Sequence, residues 1–213
     1  MEHMTRRRFV ELAAIATGGL TLAGLVGCAA TESAEPAALS SAAGAPVYLV
    51  RNVDDASLRM VFDALGQDLR GGKVGVKLSS GEPGGNHYLQ PALIEGLVSS
   101  VSGTIIECNT AYGGGRSTTE AHYRVAADHG FTSIADFQIM DEAGSLTLPV
   151  EGGFHLSEDL VGAAFSDYDA FLVLSHFKGH AMAGFGGALK NISIGMASRE
   201  GKLLIHSAGA NRT

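Results

Sequence analysis

The sequence predicts an α/β domain built on a mainly parallel sheet with helices on both faces, and three features carry that reading. Short apolar runs of strand length alternate with stretches of helical spacing. Glycine-rich loops follow three of those runs, after Leu78, Cys108 and Leu174, where loops at the carboxyl ends of parallel strands would line a ligand cleft. No internal repeat is visible, and one domain is expected over residues 46–213.

Taken in order, Val47-Tyr48-Leu49-Val50 is an apolar run suited to a buried strand. From Asp55 to Leu69, the residues Leu58, Val61, Phe62 and Leu65 recur at helical spacing. Val74 to Leu78 reads as the next strand and ends in the loop Ser79–Asn86. Pro91 opens a helix through Val98, at a first-turn position that proline tolerates. Thr104 to Cys108 is a further strand, followed by the loop Tyr112-Gly113-Gly114-Gly115-Arg116. Ser117 and Glu120 have capping-box spacing and start a helix running to about His129. The stretch that follows has no clear pattern until Ala170–Leu174, which reads as the clearest buried strand. The final residues, Gly209 to Thr213, form no recognisable close to a fold. The sheet is therefore expected to be incomplete at its carboxyl end, with an exposed edge.

Composition narrows the function classes. Of 213 residues, 46% are hydrophobic and 17% charged, which suits a folded globular chain, and the 29 glycines are about double ordinary usage. These glycines cluster between apolar runs, as backbone that must approach a ligand closely does. A net charge of −7 without a basic stripe, and no tryptophan, excludes a nucleic-acid partner. Of two cysteines, Cys28 falls in the amino-terminal segment, so Cys108 can form no internal disulfide and cannot alone hold an iron–sulfur cluster. It is expected to be a buried thiol at a strand end.

The amino terminus reads as an address. Thr5-Arg6-Arg7-Arg8-Phe9-Val10 fits the twin-arginine pattern, and Leu12 to Val26 is an apolar stretch too short to span a bilayer. Leu25-Val26-Gly27-Cys28 then has the form of a lipobox. Residues 1–28 are expected to direct export, with lipidated Cys28 anchoring the protein to the outer face of the cytoplasmic membrane. Residues 29–45, rich in alanine and serine, would be a flexible tether.

The most informative segment runs from Ser175 to Asn191 and places His176, His180, Lys178 and Lys190 among glycines, with His206 sixteen residues beyond Lys190. Imidazoles near neutrality serve either metal coordination or proton transfer. Equally, His176 and His180 could be loop histidines bonded to backbone carbonyls, and Lys190 a solvated helix lysine. Arg116 could hold a carboxylate or phosphate in its planar fork or be a surface residue beside a turn. Glu82-Pro83-Gly84-Gly85 reads as a plain turn, and Asp141-Glu142 as surface.

That segment, with Gly81-Glu82-Pro83-Gly84, Tyr112–Arg116 and Gly201-Lys202 before His206, resembles the uncharacterised iron–sulfur-centre protein family (domain of unknown function 362) over about residues 46–207. The resemblance implies an iron–sulfur-associated redox protein in which a ferredoxin-like segment binds [4Fe-4S] clusters. Because this sequence reaches Thr213 first and carries Met196 where relatives carry cysteine, such a cluster would sit in a following segment or a redox partner. The run Gly186-Gly187-Ala188-Leu189-Lys190, with one histidine ten residues before its lysine and another sixteen after, is also distantly similar to the lactate racemase superfamily. That similarity implies a nickel-pincer nucleotide tethered on Lys190; Gly186, Gly187 and Arg116 are further candidate cofactor-binding residues. In it His206 would be the nickel ligand and His180 the acid/base, with His122 a weaker second; His176 is a further candidate metal ligand from its place among the glycines. The expected functions are thus a redox protein, an enzyme acting on a small hydroxy acid or carboxylate, or a non-catalytic ligand-binding lipoprotein.

Overall fold

A computed structural model describes residues 46–69, 71–181 and 183–210. The signal and tether expected at residues 1–45 lie outside them. The elements follow as α1 (Asp55–Ala64), β1 (Val74–Lys77), α2 (Pro91–Ser100), β2 (Thr104–Glu107), α3 (Thr119–Asp128), β3 (Phe137–Ile139), β4 (Ser145–Pro149), β5 (Glu158–Gly162), β6 (Ala170–Val173), β7 (Lys178–His180), β8 (Gly184–Gly186), α4 (Ala188–Met196) and α5 (Arg199–His206). The main sheet has the order β3-β2-β1-β6, and all its pairs are parallel. Strands β4 and β5 form one antiparallel pair, β7 and β8 another. This is the α/β architecture the sequence predicts. Among the described residues no helix is long and apolar enough to cross a membrane.

Alternation along the central strands sorts the core onto two faces. Val74, Val76 and Leu78 pack with Ile105 and with Ile94, Leu97 and Val98 of α2. Ile106 and Cys108 turn the other way and meet Met140, Tyr168 and Met196 at the end of α4. All four residues of β1 are buried, as in a parallel strand covered on both sides.

After β1 the chain builds outward through β2 to β3, then crosses back to place β6 on the opposite side of β1. The switch point therefore lies between the carboxyl ends of β1 and β6, where open α/β sheets bind ligands. Asn191 of α4 ties this point together. Its Nδ2 donates to the carbonyls of Lys77 at 3.2 Å and Leu174 at 3.1 Å and to Ser175 Oγ at 3.0 Å, while its Oδ1 accepts from Lys77 Nζ at 2.8 Å.

Several local expectations are corrected. Val47–Val50 forms no strand, and Val47 and Leu49 are each 90% exposed. A strand needs a ladder partner, and neither edge strand of the sheet, β3 or β6, pairs with this run. Helix α1 stops at Ala64 because Leu65 caps it and Gly66 takes a left-handed conformation, φ +64°. Thr118, not Ser117, caps α3, accepting from Ala121 N at 3.4 Å; the Ser117 hydroxyl instead donates to Gly114 O. Glu120 pairs with Arg124 one turn on, at 2.7 Å. Strand β6 is half-buried throughout rather than the most buried, because it is an edge of the four-stranded sheet. The unreadable middle contains β3, β4 and β5; β4 alternates polar and apolar residues over too short a span to stand out.

Candidate functional site

Two charged residues end the central strands, Lys77 on β1 and Glu107 on β2, and both are buried, at 2% and 3% exposure. Register places Lys77 beside Ile106, so the two side chains point to opposite faces of the sheet. Glu107 faces α3. Its Oε1 accepts from Ser80 N at 2.6 Å and lies 3.5 Å from His122 Nε2, while Oε2 accepts from Arg116 Nη1 at 3.0 Å. Burial pushes this carboxyl up, but the His122 imidazole, the Arg116 guanidinium and Lys77 more than offset that and hold it well below the usual carboxylate range.

Arg116 does not offer an open fork. Its Nε and Nη2 grip Glu82 Oε1 at 3.1 and 2.6 Å, and Nη1 also reaches Ser79 Oγ at 3.2 Å. Glu82 is therefore part of an ion-pair chain running from the loop after β1 to the core, not of a plain turn. His122 is fully buried, with Nδ1 3.3 Å from Asn109 Oδ1. Asp141 is not an unpartnered surface acid. One oxygen accepts from Asn109 N at 2.9 Å and the other from Arg199 N at 2.8 Å, pinning the loop after β2 to the start of α5. Glu142 accepts from the Tyr123 hydroxyl at 2.9 Å. His129, given no role by the sequence, has Nδ1 2.7 Å from Ser80 O and stacks on Tyr88.

Lys77 faces α4, donating to Leu78 O and Asn191 Oδ1. Burial pushes its ammonium down to about 8 from 10.5, with Glu107 opposing. A lysine whose folded value is depressed destabilises the fold while charged, and that penalty fades as pH rises from about 8 towards 10.5. Stability should therefore rise across that window by on the order of 3 kcal/mol. Lys77→Met should flatten the rise, as read by urea titration at successive pH values; an unchanged slope would show that other groups produce it. Lys202, also buried, donates to Ala197 O at 2.5 Å and is pushed down by burial. Cys108 is the expected buried strand-end thiol. Burial pushes it up to about 12, and its sulfur donates to Met196 O at 3.3 Å.

Outside these buried charges lies a more open group. His206, at the end of α5, has Nδ1 2.9 Å from the Tyr112 hydroxyl and stacks on that ring at 5.4 Å. Burial, then the charges of Lys190 and Lys202, lower its pKa. Lys190 is half-buried, and a Cβ added at Gly186 would sit 3.5 Å from its Cδ, so the stem runs along that glycine. Gly187 is the N-cap of α4 and lies against the Phe177 ring. Lys178 donates to His87 O at 3.1 Å; burial and the charges of Arg116 and Lys190 lower its pKa.

The fold thus joins Arg116 to His122 through Glu107, and sets Lys190 where, besides burial, its charge lowers the His206 pKa. His180 Nδ1 accepts from Ala183 N at 3.1 Å, within its own β7–β8 hairpin, and His176 is exposed in the loop after β6. Lys77, Glu107, Asn191 and Lys202 were missed as site residues. The first two carried a usable signal: each is a charge set inside an otherwise apolar strand. Among the described residues no group of three or more His, Cys, Asp or Glu is placed to hold a metal ion.

Fold and site together define a parallel α/β protein with buried Lys77 bonded to Asn191 at its switch point and buried Glu107 paired with Arg116 at the end of β2. The chain belongs to the family described as Domain of unknown function (DUF362), whose model matches residues 74–213, more than half of its length. No curated protein and no solved structure matches it. The family's description names no reaction, cofactor or cell compartment.

Proposed function

We propose that this protein is an exported, lipid-anchored enzyme that binds a small carboxylate, such as a hydroxy acid, beside the switch point. The reading rests on the Tyr112–His206 contact, with Nδ1 2.9 Å from the hydroxyl and the rings stacked at 5.4 Å, and on the charge of Lys190, which adds to burial in lowering the pKa of both His206 and Lys178. Lysines whose charges crowd one another are relieved by an anion, and an imidazole held by a tyrosine is suited to moving a proton. Lowering of its pKa keeps His206 neutral, and so able to accept a proton, near neutral pH. Arg116, with its fork already filled by Glu82 and Glu107, acts as a positioning residue that holds the loops after β1 and β2.

The cofactors implied by resemblance fit unequally. A [4Fe-4S] cluster needs about four thiolates, and the described residues contain one thiol, buried and held in its protonated form. These residues do not fit the cluster. For a tethered nickel cofactor, Lys190, half-buried beside Gly186, would be the tether and His206 the ligand, and such a group would supply hydride or electron chemistry when bound. His180 Nδ1 is engaged within its own hairpin, accepting from Ala183 N.

Calorimetry of the full chain with lactate, malate and inorganic phosphate tests the site. At least one should bind, and Lys190→Ala should weaken it about tenfold or more, the loss of one charge-assisted contact. No binding, or equal binding by the variant, would refute the site. Intact mass of the membrane-extracted protein tests the anchor: an acylated chain beginning at Cys28 is expected, and an unmodified chain retaining residue 1 would refute it.

A further inference from the structure

The β7–β8 hairpin and the start of α4 expose Phe177 (72%), Phe185 (58%), Leu189 (78%) and Ile192 (39%) to solvent. The two rings and the first turn of α4 are contiguous. The Phe177 and Phe185 rings lie 5.5 Å apart, Phe177 covers the N-cap of α4 at Gly187, and α4 packs on β8. Register sets Gly179 opposite Phe185, so no cross-strand side chain shields that ring. An exposed apolar patch of this kind marks an interaction site.

Its charge distinguishes it from other exposed apolar residues. From Ala170 to Ser198 the sequence contains Lys178, Lys190, His176 and His180 and no aspartate or glutamate, in a chain of net charge −7. By contrast, Phe154 lies in a loop near Glu151 and Glu158, and Val53 precedes Asp54 and Asp55. Aromatic rings and lysines on a segment without acids match the boundary of an anionic bilayer, where rings settle at the headgroup level and lysine stems carry their charge to phosphates.

We propose that this patch rests on an anionic membrane surface, with Phe177, Phe185 and Leu189 entering the interface and Lys178 meeting lipid phosphate. The idea leans on the anchor read from Cys28, which would hold the domain near such a surface. The contact is modest by itself, and acts as the second signal that turns a tether into a fixed orientation.

The chain contains no tryptophan, so Phe185→Trp installs a unique reporter and Phe154→Trp an equivalent control, 93% exposed on another loop. Each full-length variant is reconstituted into vesicles of equal parts phosphatidylglycerol and phosphatidylethanolamine carrying acyl-brominated lipid. The expected result is a blue shift and loss of most Phe185→Trp fluorescence with little change for Phe154→Trp, and reduced quenching when Lys178→Glu is added. Equal and weak quenching at both positions would overturn the proposal and leave the patch to a protein partner. Intact mass of the same samples decides the anchor separately, so an acylated chain whose Phe185→Trp stays unquenched refutes the patch alone.

Discussion

Replacing Glu107 by glutamine is expected to cost about 3–5 kcal/mol of stability at neutral pH, the range for removing one partner of a buried ion pair. Its two oxygens accept from different donors, Ser80 N and Arg116 Nη1, and a glutamine keeps only one acceptor oxygen. Arg116 would retain Glu82, but Lys77 would lose its opposing charge. The pH dependence gives a second reading. Because folding depresses the Glu107 carboxyl, its contribution is fully present above the unfolded value near 4.5 and is lost as pH falls below it. Wild type should therefore weaken steeply in acid, and Glu107→Gln should show a flatter acid limb. Urea titrations of both proteins from neutral to acid pH measure the two effects together. A variant as stable as wild type at neutral pH would mean that the network contributes nothing net.

Gly201→Ala should be nearly as damaging, by a different cause. A Cβ at this position would lie 2.0 Å from Leu160 O and 3.1 Å from Leu160 Cβ, and the first of these is backbone that cannot swing aside. Leu160 O accepts from Ser198 N at 2.8 Å, and Ser198 Oγ caps α5 by accepting from Gly201 N at 3.0 Å. The added methyl must therefore lift α5 from β5, and with it Lys202 and His206. A loss of about 3 kcal/mol is expected, at the upper end of overpacking costs, and with it weaker binding of any ligand that uses His206. Gly179→Ala is the control, since a Cβ there meets no atom within 4 Å, and should change stability by less than about 0.5 kcal/mol. Thermal melts of the three proteins would check this; equal melting temperatures would show that α5 shifts freely.

The α/β class, the places of β1, β2 and β6, the proline-opened α2 and the buried Cys108 were all legible because they rest on local facts: apolar run length, helical period and the preferences of single residues. The same local reasoning failed at Val47–Val50, where the run is as apolar as a strand but finds no ladder partner. It also failed at Asp141, whose acceptors serve Asn109 and Arg199, 32 and 58 residues away. Of the candidate site, the Lys190–His206 spacing and the Arg116 loop could be seen in the linear chain, but not which carboxylates would fill the Arg116 fork.

What the linear order of residues specifies, then, is where strands and helices form, because burial pattern and backbone preference act over a few neighbouring positions. Tertiary structure alone decided that β1 lies between β2 and β6, so that Asn191 closes the switch point and Lys77 and Glu107 become opposed buried charges. The contact of Asn191 with Lys77 spans 114 positions, and that of Glu107 with Ser80 spans 27. Their strength comes from the low dielectric created when the sheet is covered on both faces, a property no segment has before it packs.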